Sequence, residues 1–227
     1  NDKAYFLGWL FTDGYVKEGI TKGFGGIVLQ ITDLEILKSF KKYTDSESPI
    51  SKINNSTYQI KYGYKKKPKT SYMFNLSNPK FFQDCLSLGL KPRKTFTVQF
   101  PKKLPKKYYR DFLRGVFEGD GTVSYNERRQ SKNVSIYCAN KDFLLDLDKK
   151  ILSKKKIFSK IIYVPSHNLY TQRISSRNFV DFYDLIYLNV KEDQILKRKR
   201  DKFHEVVKKS KRIKKTLTKK QINYFGL

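Results

Sequence analysis

Histidine is nearly missing from this sequence: His167 and His204 are the only two. Zinc hydrolases and histidine-metal nucleases need clustered imidazoles, so both classes are excluded. Cysteine is equally scarce. Cys85 and Cys138 are too few for a disulfide framework or a cysteine zinc site, and are expected to serve as small apolar packing residues. No run of about 18 apolar residues occurs, so no membrane-spanning helix is expected. No signal-peptide pattern opens the chain, and Asn1 is not an initiator Met, so the natural start is expected upstream. Acids are few: 21 Asp and Glu stand against 48 Lys and Arg, a formal charge of +27 on 227 residues. Like charge of that size destabilises a compact state by self-repulsion, and a polyanionic partner is the simplest reason to keep it. With 39% hydrophobic and 15% aromatic residues, the chain is no disordered basic tail, which would lack aromatics. It is long enough to bury a core in one or two domains.

What is present is repetition. Residues 4–15 read AYFLGWLFTDGY and residues 110–122 read RDFLRGVFEGDGT. Gly8, Asp13 and Gly14 match Gly115, Asp120 and Gly121 at one offset of 107 residues. The likeness continues. Residues 27–33 precede a helical pattern of Leu34, Leu37 and Phe40, and residues 134–140 precede one of Phe143, Leu144, Leu147 and Ile151. Residues 74–82 then resemble residues 172–180 at an offset of 98, as if a loop had shortened. Two copies of about one hundred residues imply duplication.

Each copy reads helix, strand pair, helix, strand pair, helix, which makes the fold class α+β. Strands are expected at Thr57–Tyr64 and Ser71–Leu76, then at Lys160–Val164 and Leu169–Ile174, where Ile, Val, Tyr and Thr partly alternate. Asn54-Asn55 and Ser166-His167-Asn168 have turn chemistry. Between the copies, Thr95–Lys107 holds Pro101, Pro105 and four lysines, the composition of a linker. The expected organisation is a first lobe at 1–94, a linker at 95–107, a second lobe at 108–205 and a basic C-terminal tail at 206–227. From Gln194 to Lys220 there are 13 Lys or Arg and two acids. This stretch is either a helix lying on phosphate or a solvated arm.

Read as helices, the repeated motifs place Gly8 with Thr12, and Gly115 with Gly119, on one face each. Small residues four apart remove the side-chain ridge and allow close approach of two helices. If they pack by those faces, their C-terminal ends meet, and Asp13 and Asp120 sit at those ends. A carboxylate at a helix C-terminus is unfavourable by up to about 1 kcal/mol, and two of them repel further. A divalent cation relieves both. Paired carboxylates with few other protein ligands suit Mg²⁺, which activates water and stabilises a leaving oxygen in phosphodiester hydrolysis. A single Asp-Gly after a helix is usually only a helix stop, with glycine supplying a left-handed turn. Two at matched positions in so basic a chain favour the metal.

The segments Leu7-Gly-Trp-Leu-Phe-Thr-Asp-Gly and Leu113-Arg-Gly-Val-Phe-Glu-Gly-Asp-Gly resemble the two signature motifs of the LAGLIDADG homing endonucleases, in their single-chain two-repeat form. The resemblance runs from Ala4 to about Phe203. The second motif is the closer match; the first has Phe11 where an acid is usual. Leu88-Gly-Leu-Lys-Pro-Arg-Lys-Thr is also typical of this type. The resemblance implies two pseudo-symmetric αββαββα lobes, a DNA-binding saddle of antiparallel sheets, and the two motif helices packed at the lobe interface. It implies Asp13 and Asp120 as catalytic metal ligands, with the main-chain carbonyls of Thr12 and Gly119 near the metal. Both strands of a long DNA target would be cut, leaving short 3′ overhangs. Mg²⁺ is the implied cofactor, with Mn²⁺ or Ca²⁺ substituting for binding. Supporting residues are implied at Asp33 and Asn140, and basic ones at Lys94 and at Lys197 or Lys199. Asp33 serves equally well as an N-cap of the following helix.

Base reading is expected from one face of the strands: Gln30, Lys61, Tyr62, Tyr64, Lys65, Tyr72 and Asn75 in the first lobe, and Arg128, Arg129, Lys132, Ser135, Tyr137, Tyr163, Gln172 and Arg173 in the second. Arg pairs with guanine and Gln or Asn with adenine, while lysine more often binds phosphate; each of these strand residues is as readily accounted for by plain solvent exposure. Gln30 aligns with Tyr137 and Asn75 with Arg173, so the expected target is not a palindrome. The expected partner is double-stranded DNA, met as a monomer, with no membrane. Intron RNA is the alternative partner, in a maturase; a non-cleaving DNA-binding regulator is the other alternative. The Lys, Tyr, Phe and Asn bias suggests an AT-rich genome and leaves the compartment open between an organelle, mitochondrion or chloroplast, and a bacterial or phage-infected cytoplasm.

Overall fold

The structure, a computed structural model, describes residues 2–18, 25–54, 59–61, 64–66, 70–215 and 217–227. It divides into two compact units, Asn1–Gly115 and Val116–Leu227. The first contains α1 (Asp2–Thr12), β1 (Gly14–Glu18), β2 (Gly25–Ile31), α2 (Leu34–Tyr43), β3 (Ile50–Ile53), β4 (Gln59–Lys61), β5 (Tyr64–Lys66), β6 (Ser71–Leu76) and α3 (Pro79–Ser87). Helix α4 (Tyr109–Asp120) begins in the first unit and ends in the second. The second continues with β7 (Gly121–Asn126), β8 (Ser131–Cys138), α5 (Lys141–Leu147), β9 (Ser159–Val164), β10 (Leu169–Ile174), α6 (Phe179–Tyr187), α7 (Lys197–Lys209), α8 (Lys211–Lys214) and α9 (Lys219–Phe225).

Both units build the same antiparallel sheet. The strand orders are β1-β2-β6-β3 and β7-β8-β10-β9, which are one topology written twice. In each, strand side chains alternate between a helix-packed face and an outer face. Ile27, Leu29 and Phe74 face the helices in the first unit, and Val134 and Ile136 do so in the second; all are buried. Helix α2 buries Ile36, Leu37 and Phe40 and stacks Phe40 on Phe6 of α1. Helix α3 starts where Asn78 accepts the Phe81 N–H at 2.9 Å and Pro79 fills the first helical position. Cys85 packs there as expected, and burial pushes its thiol up to about 12.

The strands of the second copy fall where the sequence placed them, at Ser159–Val164 and Leu169–Ile174. In the first copy the partner of β6 differs. Of the strand expected at Thr57–Tyr64, Gln59–Lys61 forms β4 and Tyr64 opens β5, while 57–58 and 62–63 lie outside the described residues. Instead β6 pairs with β3, Ile50 opposite Phe74, and β4 and β5 form a separate hairpin with Lys61 opposite Tyr64. Lys and Gln in that hairpin's sequence offer little apolar surface to a core, so its β-propensity is satisfied locally.

The segment expected as linker buries Val98, Phe100 and Leu104. Phe100 meets Tyr109 and Phe112 edge-on. The expected tail begins inside α7. Phe203, Val206, Val207, Ile213 and Phe225 are buried, and the Phe225 ring lies 4.7 Å from that of Tyr183. The C-terminal stretch is therefore docked, not a solvated arm, and its exposed lysines coat a folded surface. No described helix is long and apolar enough to cross a membrane.

Candidate catalytic residues and nucleic-acid interface

The two motifs occupy α1 and α4, and in both the glycine after the aspartate opens a strand directly. Neither glycine has the left-handed φ of a helix stop; among the described glycines only Gly89 and Gly226 do. They are needed for space. A Cβ on Gly14 would stand 2.7 Å from Leu10 main-chain atoms, and one on Gly121 would stand 2.4 Å from the Phe117 carbonyl oxygen. The helix-to-strand turn is too tight for a side chain. Gly115 is constrained differently: its Cβ would lie 2.1 Å from the Tyr5 carbonyl oxygen and 2.9 Å from Gly8 Cα. Within the first unit, α4 thus rests backbone to backbone on α1 at Gly115, the close approach that small residues allow. Arg114 is buried beside this contact, paired with Asp111 at 2.9 Å and set over the Tyr5 ring.

Asp13 and Asp120 are exposed at the ends of their helices. Each is joined to a lysine through its neighbours' main chain. In the first unit, Lys94 Nζ donates to the carbonyls of Thr12 at 2.9 Å and Gly14 at 2.5 Å. In the second, Lys199 Nζ donates to the carbonyls of Phe117 at 2.9 Å and Gly119 at 3.0 Å. Thr12 and Gly119 are the residues just before the aspartates. A helix C-terminus leaves carbonyls without helical partners and carries partial negative charge. An ammonium there satisfies both, and it offsets the cost of a carboxylate at the same end. Lys197, the other candidate on this segment, is exposed at the first position of α7, so the geometry selects Lys199.

The donor set fits a hard divalent cation in part. Each unit offers an exposed carboxylate flanked by main-chain oxygens, the ligand chemistry of Mg²⁺. Among the described residues no group of three or more His, Cys, Asp or Glu could hold a metal ion. The Thr12 and Gly119 carbonyls already accept from lysine, so each retains one lone pair beside a positive charge. The carboxylates therefore fit this role better than the carbonyls do.

Asp33 and Asn140 stand at matched places before α2 and α5, but they differ. Asn140 Oδ1 accepts the Asp142 N–H at 2.8 Å and so caps α5. Asp33 occupies the N-cap position of α2 without a side-chain capping bond. The shared expectation for the pair separates: Asn140 acts as a cap, and Asp33 does not.

Register sorts the expected base readers. In the first unit Gln30, opposite Met73, and Asn75, opposite Val28, lie on the outer face. In the second, Ser135 and Arg173 are opposite one another on that face, with Tyr137 two residues along. Arg173 is exposed, whereas Ser135 is fully buried beside Asn133. Four candidates are corrected by register. Tyr72 shares the face of Phe74, and Tyr163, Gln172 and Lys132 share that of Ile136. Gln172 is fully buried, its amide donating to Ser159 at 3.0 Å and to Asp148 at 3.3 Å. Burial and the nearby Arg212 hold Lys132 below the ordinary lysine range. Arg128 and Arg129 are exposed in the β7–β8 turn. Tyr62 lies outside the described residues, and Lys61, Tyr64 and Lys65 are described by backbone alone. The outer faces also present Tyr15, Ser51 and Met73 in the first unit and Ser124, Asn133 and Lys160 in the second. Counting by twos from the buried isoleucines of β2 and β8 would have found those on the paired strands.

A LAGLIDADG-like domain family matches residues 107–187. Among solved structures, the homing endonuclease I-DmoI aligns at 16% identity, covering 82% of this chain and 94% of its own, with a TM-score of 0.56. I-DmoI has also been seen in complex with DNA and Mn, and with DNA and Ca. The homing endonuclease I-WcaI, bound to its DNA recognition sequence, aligns at 13% identity over 88% of this chain and 85% of its own, TM-score 0.62. The N-terminal LAGLIDADG domain of WhiA aligns at 17% over 84% and 83%, TM-score 0.51. No curated protein matches the sequence. Residues 107–187 match the LAGLIDADG-like domain model, and the chain as a whole has the two-repeat fold of the LAGLIDADG homing endonucleases.

Proposed function

We propose that this protein is a site-specific, metal-dependent DNA endonuclease that cuts both strands of a long, non-palindromic target. One observation carries the reading: an exposed aspartate at a helix end, with a lysine ammonium fixed on the adjacent carbonyls, occurs in both units. Asp13 and Asp120 would each hold a divalent cation, which supplies an activated water and stabilises the leaving oxygen. Lys94 and Lys199 hold positive charge where phosphate charge builds up, and their two carbonyl contacts keep the ammonium from wandering. Each unit's set acts on one strand.

The outer faces would read the target. Gln30 and Asn75 suit adenine and Arg173 suits guanine. Their counterparts in the other unit are Tyr137, Arg173 and Asn75 in turn, so the two half-sites are expected to differ. The net charge of +27 supplies the sequence-independent part of DNA affinity.

The test is a cleavage selection on a randomised or host-derived DNA library, with Mg²⁺ and with EDTA. One discrete site cut only with metal supports the reading. Binding without cutting in either condition overturns it and makes RNA the next ligand to try. Equal cutting of a palindrome built from either half-site would remove the non-palindromic part.

A further inference from the structure

We propose that Glu118 is the positioning residue for Lys199, so that cleavage of one strand depends on a buried carboxylate where the first unit's motif has Phe11. This rests on the endonuclease reading above. Glu118 lies between Phe117 and Gly119, whose carbonyls hold the Lys199 ammonium. It is fully buried, and its Oε1 accepts the Leu196 N–H at 2.8 Å. Leu196 is the residue on which α7 begins, and its own carbonyl accepts the Lys199 N–H at 2.9 Å. The end of α4 and the start of α7 are therefore joined twice: a carboxylate reaches out from α4, and an ammonium reaches back from α7.

The position of Lys199 sharpens this. It is the third residue of α7, where a capping box places a Glu or Gln that accepts the N–H of the N-cap residue. Here that acceptor comes from Glu118, on another helix. The third position is thus released for a lysine. Burying a carboxylate is costly unless it is hydrogen-bonded, and packing alone would be met by a leucine. The matched residue of the first motif is Phe11, which is buried edge-on to Phe112. There Lys94 is brought to its carbonyls by a different device, a left-handed Arg93 (φ 50°) opening a single 3₁₀ turn.

The experiment is strand-resolved cleavage of the selected site by Glu118→Met, Glu118→Gln and Lys199→Met. Met fills the space without an acceptor; Gln keeps one. Glu118→Met is expected to slow one strand by about tenfold to a hundredfold, leave the other within about twofold, and let nicked DNA accumulate. Glu118→Gln should cut both strands near the wild-type rate. Lys199→Met should slow the same strand, and adding Glu118→Met to it should bring little further loss, since both act through one group. Equal slowing of both strands, no slowing, or full additivity with Lys199→Met overturns the proposal. If the wild type cuts no DNA, the endonuclease reading fails by itself. Amide exchange at Leu196 then decides the clamp: faster exchange in Glu118→Met than in Glu118→Gln and wild type upholds it, and unchanged exchange overturns it.

Discussion

The two units share a topology but solve its local problems with different residues. Where the first places Phe74 in its core, the second places Gln172 at the matched position; both are fully buried. The first answers with aromatic packing, Phe74 edge-on to Phe40. The second answers with a polar network in which Gln172, Ser159 and Ser153 converge on Asp148. Phe11 against Glu118 repeats the contrast at the motif helices. What stays the same is the helix-end aspartate and the lysine on its neighbouring carbonyls. The packing of the two units differs while the sheet topology stays the same. The groups proposed to meet the phosphate are the ones held alike.

That comparison can be broken most forcefully at the shared groups. Replacing Asp13 and Asp120 together by Asn should lower cleavage by about 10³-fold or more while DNA binding persists, as measured by cleavage and gel shift on the selected site. Retained cutting would remove the aspartates from the chemistry. The cores should differ next. Phe74→Ala is expected to cost about 3–5 kcal/mol through its cavity, and Gln172→Ala about 1–2 kcal/mol, because Asp148 and Ser159 still satisfy each other. Urea unfolding of the two variants decides; equal costs would mean the polar network carries as much as the aromatic core.

The reading faces give a middle-sized effect. Arg173→Ala should relax preference at one base pair by about 1–3 kcal/mol, in competition binding across single-base variants of the site. Tyr163→Ala, on the other face, should leave every preference unchanged. A smaller contrast lies at the helix starts. Asn140→Ala should lose about 1 kcal/mol of stability and Asp33→Ala only a few tenths, by the same urea measurement. If Asp33→Ala instead stops cleavage without changing stability, Asp33 belongs to the chemistry. The smallest effect is in pH. Burial and then Arg200 hold His204 below its ordinary value, and no histidine occurs in the first unit. The folded state resists that proton, so the second unit should be fully stable above about pH 6.5 and lose stability as pH falls below it. His204→Gln should flatten that slope in a pH series of melting curves.

Much of this was legible in the sequence, for physical reasons that also mark the limits. The 107-residue offset exposed both units, because Gly8, Gly14, Gly115 and Gly121 answer local demands that recur with the fold. The strands β9 and β10 could be read from their composition. The strand β3 could not, since Ile-Ser-Lys-Ile is short and a more β-prone stretch follows it. Gln172 was read as exposed because polarity usually means exposure, and its burial depends on Asp148 and Ser159 brought from elsewhere in the chain. Lys94 and Lys199 were visible as basic candidates. Their partners were not, because each lysine reaches carbonyls at sequence separations of 82 and 80, and nothing in a main-chain oxygen shows in the sequence. Glu118 was visible only as a motif position, since its partner is the backbone amide of Leu196.

The most direct test of the account is strand-labelled cleavage of the selected site by wild type, Lys94→Met and Lys199→Met. Wild type should cut both strands, and each variant should spare a different one. If both variants spare the same strand, or slow both strands alike, the claim that each unit carries its own hydrolytic set is contradicted.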